Sequence, residues 1–304
     1  MTVPTLQLQT SMKPPTLPLG GHRPYPRQSL PKPQDRLPLG LTGLTVSPFA
    51  IGITTPETVL AAYEMGVNFF FLTSDLHWPL YQGLRDGLVE LFKRGPSVRD
   101  EVVVAVVSYL DQPLFSYLQF NEVIDSVPGL ERVDVLMAGA VPGEANLYSR
   151  FNSIHGARNA RHFGGRALGA SFHHRPSALV SVNANLLDIN FIRYNTSHPG
   201  AVNDVFPYIR PDRTGLIFNF KSTMSQVTPE QFRKMGLGDR YWLPRTTDYY
   251  RFALTVPGMD GILCSPQSPA EFEQTVEAMN AGPLTPQEEA YMRWLSSSVN
   301  PQYF

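Results

Sequence analysis

One cysteine, Cys264, in 304 residues is too few for an internal disulfide framework or a cysteine-rich metal centre. Excess charge is also missing: 25 lysines and arginines meet 26 aspartates and glutamates, a formal net charge of −1. That balance removes the basic footprint of a dedicated nucleic-acid binder. No run approaches the roughly 18 consecutive apolar residues of a membrane-spanning helix. The first residues lack an apolar core followed by a small-residue cleavage site. The expectation is a cytoplasmic protein in a reducing setting, with neither nucleic acid nor membrane as partner.

Proline, by contrast, is abundant, at 28 residues against the usual ~5%. Eight of these lie in residues 1–36. That stretch has no helical or strand period and favours extended polyproline II backbone. It reads as a proline-rich extension, either a disordered tail or a strap lying on the body or on a protein partner. It is also basic: Lys13, Arg23, Arg27, Lys32 and Arg36 face Asp35 alone, which leaves a net of −5 for the remainder.

From residue 37 to 304 the chain reads as one domain. LPLGLTGLTVSP has the pattern of a hairpin turning near Thr42 and Gly43. Eight apolar runs follow, each leading into a helical stretch. They are SPFAIGI, VNFFFLT, VVVAVVSY, DVLMAGA, RALGASF, INFIRYN, GLIFNFK and DGILCS. The helices are expected near 55–66, 80–94, 113–126, 144–162, 176–185, 201–209, 228–254 and 269–280, with a last one from Thr285 packing outside the body. Runs such as VVVAVV are apolar at every position, as parallel strands buried on both faces must be. Eight strand-then-helix units predict an α/β fold of (β/α)8 TIM-barrel type. A doubly wound open sheet is the alternative, and no GxGxxG follows the first strand to favour it. Thr55-Pro56-Glu57 and Ser268-Pro269-Ala270-Glu271 are helix-start signatures, and Gly66 suits a helix end.

Several motifs in order resemble the aldo/keto reductase family over nearly all of residues 36–297. They are LGLTGLTVS, TPETVLAAYEMGVNFF, FGGRALGAS, FIRYN, HPGAVNDVFP, RFALTVPGMDGILCS and GPLTPQEE. The resemblance implies a barrel of that family's type with an N-terminal hairpin. It also implies NADPH-dependent carbonyl reduction by an Asp/Tyr/Lys/His tetrad at the barrel mouth. This sequence departs at each tetrad place. Leu72 aligns with the aspartate, His77 with the tyrosine, Val107 or Ser108 with the lysine, and Gly139 with the histidine. The family's nicotinamide-holding Ser-Asn pair becomes Ser171-Phe172. Its sixth-strand glutamine falls near Phe191, and its stacking aromatic near Asn219 or Phe220. The basic residue for the adenosine phosphate falls on Gln267, and an adenine-contacting asparagine on Thr275.

Strand ends in such a barrel line the mouth, which directs attention to the polar residues left there. His77 is a candidate acid/base with Asp75 as its orienting carboxylate, because an imidazole suits proton transfer near neutral pH; the alternative is a solvated loop histidine. Trp78, Tyr81, Phe172, His173, Phe191, Phe220 and Lys221 are candidate substrate-lining residues, and Phe71 would add to an apolar wall. The aromatics read equally as core filler. Adjacent His173 and His174 diverge, so at most one enters the mouth. No HxH or HxxxH spacing supports a metal, and His198 stands apart. Cys264 reads as a small buried hydrophobe before it reads as a nucleophile. Lys221 is an anion contact, an imine-forming amine or a surface lysine. Arg193 and Tyr194 match a motif read as scaffold.

The sequence therefore points to a barrel repurposed for non-redox, cofactor-independent chemistry on a small organic substrate, a cyclisation, elimination or isomerisation driven by proton transfer. One alternative is a catalytically silent scaffold or partner protein using the extension or the barrel exterior. Another is an NADPH-dependent reductase with His77 or Tyr81 as a rearranged proton donor.

Overall fold

The computed structural model describes residues 27–74, 77–143, 147–158 and 165–299; most of the proline-rich extension falls outside them. The described chain begins where the Arg27 guanidinium donates to the carbonyls of Pro257 and Met259. A short antiparallel hairpin follows, β1 (Leu37–Pro38) and β2 (Thr45–Val46). Its turn runs through Gly40 and Gly43, both at positive φ, backbone that other residues rarely adopt.

Eight parallel strands then close into a barrel: β3 (Phe49–Ile51), β4 (Phe69–Thr73), β5 (Val103–Ser108), β6 (Val135–Val141), β7 (Ala167–Phe172), β8 (Ile189–Arg193), β9 (Leu216–Phe220) and β10 (Gly261–Cys264). Every one lies inside an apolar run picked out in the sequence or extends it by one residue. The outer layer contains α1 (Pro56–Glu64), α2 (Gln82–Phe92), α3 (Pro96–Glu101), α4 (Pro113–Ser126), α5 (Leu147–Arg158), α6 (Arg175–Asn183), α7 (Ala201–Asp204), α8 (Pro229–Lys234), α9 (Thr246–Thr255), α10 (Pro269–Met279) and α11 (Pro286–Val299). The predicted caps form: Thr55 Oγ accepts from the Thr58 amide and Ser268 Oγ from the Glu271 amide.

Three helical expectations are corrected. The single helix over 228–254 is two, α8 and α9, because Gly236 takes a positive φ and Pro244 lies between them. The stretch 201–209 is the short α7 and a 3-10 turn at Phe206–Tyr208, since Pro207 cannot continue an α-helix there. The stretch 80–94 opens with a 3-10 turn, Trp78–Tyr81. Helix α3, following Gly95, is additional.

Side-chain alternation follows from the strand registers. Phe49 meets Phe272 of α10 edge-on, Ser108 bonds Gln119 of α4, and Asn190 bonds Ser181 of α6, so these positions face the helices. Their neighbours one step away face inward. Inward Phe69, Phe71, Phe191 and Phe218 meet one another at ring-centroid distances of 5.7, 5.4 and 5.5 Å for the pairs Phe69–Phe218, Phe71–Phe191 and Phe191–Phe218. Burial of such a ring stabilises by about 1.5–3 kcal/mol. The barrel interior is a packed aromatic plug.

The opposite, N-terminal pole is fastened by aspartates that precede alternate strands. Asp134, Asp188 and Asp260 each accept the amide of a residue in the preceding strand, Val104, Leu168 and Ile217. Asp134 is fully buried and ion-paired to Arg99, Arg132 and Arg166. Asp260 pairs with Arg213. A polar cavity of about 510 Å³ lies at this pole beside the hairpin, between Arg36, Thr45, Asn68 and Arg166. It is remote from the strand C-termini, where barrels place chemistry. Among the described residues no helix is long and apolar enough to cross a membrane.

Candidate active site at the barrel mouth

The mouth is built by the residues that end each strand. Leu72 of β4 is fully buried and faces the helices, while Thr73 faces inward. Asp75, expected to orient His77, lies outside the described residues. His77 is exposed, and its ring centroid is 6.1 Å from that of Tyr109. Trp78 is half-buried beneath the Arg85 guanidinium, 3.5 Å from the ring centroid, and its carbonyl accepts from the same arginine. That contact ties Trp78 to α2. Tyr81 is 7% exposed and packs in the main core.

Tyr109, the residue after β5, escaped the sequence reading. Val107 faces inward and is fully buried, and Ser108 is engaged with α4; alternation therefore returns Tyr109 to the inner side, and counting one residue past the strand would have found it. Its ring occupies the space above Gly139. A Cβ at position 139 would lie 2.6 Å from Tyr109 Cδ1 and Cε1, a distance at which something must shift. Where the resemblance places a histidine, the fold has put a phenol on the neighbouring strand's end, beside His77.

Past this point β6 is irregular: its pairing with β7 shifts register between Ala138 and Val141, and Ala140 takes a φ of 51°. The Ala140 amide donates to Ser171 Oγ at 2.8 Å. Phe172 is corrected from mouth lining to wall, because its ring packs edge-on against Phe151 of α5 at 6.5 Å and is 1% exposed. Phe191 and Phe71 belong to the plug under the mouth and form its floor. His173 is exposed and 6.0 Å from the ring of half-buried Phe220, whereas His174 Nδ1 meets Ser177 Oγ at the start of α6. Only His173 faces the mouth. Desolvation, then Lys221 and Arg193, hold its pKa below the ordinary imidazole value.

Arg193 departs from its scaffold reading. It ends β8 on the inner side, opposite Phe220 in the register, and Lys221 follows Phe220. Tyr194 is indeed scaffold: fully buried, it stacks on Phe252 at 5.2 Å. Cys264 faces outward, is 2% exposed, and its pKa is pushed up to about 12 by burial. A thiol in that state holds its proton at neutral pH. We expect it to resist iodoacetamide at pH 8 in the folded protein and to react at once in denaturant, as mass spectrometry would show; rapid native labelling would contradict its placement. Among the described residues no three of His, Cys, Asp or Glu gather as a metal-holding set.

Neither a protein-family model nor a curated protein matches this sequence. Solved structures do. An aldo-keto reductase enzyme from a Medee basin deep-sea metagenome library superposes at TM-score 0.60 with 14% identity, over 86% of this chain and 94% of that one. A protein of Pseudomonas aeruginosa assigned as an aldo-keto reductase superposes at 0.57 with 15% identity, over 84% and 97%. The fold is that of the aldo-keto reductases. The likeness is one of architecture, and function has to be argued from the mouth itself.

The aldo-keto reductase positions for a nicotinamide cofactor fit it poorly here. Ser171 Oγ is engaged by Ala140, Phe172 points to α5, and Phe191 is locked among phenylalanines where an amide would be needed. The Gln267 side chain donates to the carbonyls of Ile53 and Ser265, and its amide to Glu271 Oε2. Thr275 is buried, with its hydroxyl on the Glu271 carbonyl.

Proposed function

We propose that this aldo-keto-reductase-type barrel carries out non-redox, cofactor-independent chemistry on a small organic substrate, with His77 as the proton-transferring group and Tyr109 beside it. The observation that carries the reading is Phe191: at the glutamine position of the resemblance stands a ring buried between Phe71 and Phe218. The plug forms an apolar floor, and the only chemistry required of the rim is movement of a proton. His77 would take a proton from carbon or oxygen next to a carbonyl and return it to another atom of the same molecule. The net change is an isomerisation, or an elimination when a leaving group departs with the electron pair, and no external reductant is consumed. Positioned acid/base groups of this kind contribute about 10²–10⁴-fold in rate.

Two measurements test this. A titration with NADPH and NADP⁺, read by ligand fluorescence and melting temperature, is expected to show no saturation up to about millimolar concentration. A ligand at about 100 times its dissociation constant would stabilise by about 2.7 kcal/mol, which is easily seen. Incubation of small carbonyl compounds in D₂O without nucleotide is expected to wash deuterium into one class of them. His77→Ala should slow that exchange by about 100-fold or more at unchanged melting temperature. Micromolar NADPH binding would overturn the cofactor-independent reading in favour of a reductase.

A further inference from the structure

Among the described residues, the C-terminal ends of three consecutive strands, β7, β8 and β9, gather basic side chains without an unpaired acid beside them. Arg193 and Lys221 have no hydrogen-bond or ion-pair partner among the described side chains; Arg193 pairs in register with Phe220, the residue before Lys221, and the His173 ring lies 6.0 Å from that of Phe220. The charges are close enough to act on one another. Arg193 and Lys221 both depress the pKa of His173 and of His198, after desolvation, and Arg175 depresses that of Arg193. The carboxylate of Asp204 does not relieve them, because Arg175 takes both its oxygens at 2.6–3.0 Å. Arg193 is half-buried and Lys221 is exposed, and like charges held near one another without a counter-charge repel.

The arrangement is also held in place. Lys221 takes a φ of 59°, the left-handed region that non-glycine residues rarely occupy. Its carbonyl is fixed by Asn195 Nδ2 at 2.9 Å. Fully buried Asn195 turns its Oδ1 to the amides of Ser197 and His198, at 3.1 and 2.9 Å, so one side chain ties the loop after β8 to the loop after β9. Helix α11 braces the pair from behind, where Ser296 Oγ meets Thr196 Oγ at 2.6 Å and donates to the Ser225 carbonyl. Two hydroxyls in these loops, Ser222 Oγ next to Lys221 and Ser197 Oγ next to His198, are buried and have no hydrogen-bond partner. Buried hydroxyls normally find one.

We propose that this basic lip is an oxyanion-binding subsite, with Arg193 and Lys221 gripping a carboxylate or phosphate group of the substrate while its reacting carbon faces His77. Arginine offers a planar fork matched to two oxygens, and lysine a point charge beside it. The inference rests on the mouth chemistry above only for the word substrate; binding itself needs no turnover.

The test is calorimetric titration of the full chain at low ionic strength with inorganic phosphate, pyrophosphate, a small dicarboxylate and NADPH, each followed by a melting-temperature scan. Saturable binding of at least one of the first three is expected. Arg193→Gln and Lys221→Gln should each weaken it by about tenfold or more, while Arg233→Gln, on the exposed face of α8, leaves it unchanged. Without ligand, Lys221→Gln should melt no lower than the parent, since it relieves repulsion; this variant keeps the test decisive should Arg193→Gln fold poorly. Preference for phosphate over dicarboxylate, or the reverse, names the group the substrate bears. NADPH binding lost in both variants would uphold the subsite and overturn cofactor independence. No saturable binding of any probe up to about 10 mM, or binding indifferent to both substitutions, would overturn the subsite and leave the His77 exchange test standing.

Discussion

Asp134→Asn is expected to lower stability by about 3–5 kcal/mol, because it leaves a buried arginine without its counter-charge. Asp134 is fully buried, and Arg99, whose side chain is 3% exposed, reaches it at 2.9 Å and fills its other donors with the carbonyls of Leu130, Val102 and Arg132. The same carboxylate takes the Val104 amide, so it joins β5 to the start of β6. Asparagine keeps one acceptor oxygen but no charge, and its amide would face cations. At about 2–4 °C per kcal/mol for a chain of this size, the melting point should fall by about 10 °C. The mechanism makes a sharper demand on a double variant. Asp134→Leu with Arg99→Met removes the buried pair and should recover part of the loss, but not all of it, because Arg132, Arg166 and the Val104 amide also lose this carboxylate. Urea midpoints for the three proteins decide it. A single variant within about 1 kcal/mol of the parent would show that the network contributes little.

Phe191→Gln is the second large expectation, about 3–5 kcal/mol of destabilisation. The substitution restores the amide that the resemblance would place there, into a plug where rings lie 5.4 and 5.5 Å away on two sides. An amide surrounded by phenylalanine loses the ring contacts and gains no hydrogen-bond partner. Phe191→Leu, apolar and only somewhat smaller, should cost about 1 kcal/mol. Should Phe191→Gln instead fold as stably as the parent and acquire NADPH affinity, the plug would be a removable filler.

Much of the architecture was legible because parallel strands buried on both faces cannot hide in a sequence. VVVAVV and VNFFFLT have no reading compatible with solvent, and the helix starts at Thr55 and Ser268 carry their own hydrogen-bond chemistry. The helical breaks at Gly236 and Pro207 were less legible, because apolar spacing continues across them while the backbone does not. The strand ends were legible as a rim, but not the direction in which each side chain points. Strand ends read as the mouth, yet the side to which Phe172 points follows only once β7 is in register with β8, where Ala170 pairs with outward-facing Asn190. Tyr109 was overlooked because its role comes from a contact with Gly139, thirty residues away. Arg193 reads as scaffold within its motif, and its lack of an acidic neighbour among the described residues emerges only when β8 and β9 are placed side by side.

The ring of Tyr109 over Gly139 makes those two positions epistatic. Any side chain at 139 demands that Tyr109 move, and shortening Tyr109 alone opens a void beside His77. An imidazole therefore cannot be installed at 139 by one substitution without loss of fit; position 109 must change with it. Libraries that aim to give this barrel a reductase's histidine should vary the two residues jointly, and sequences related to this one should pair a bulky residue at 109 with glycine at 139.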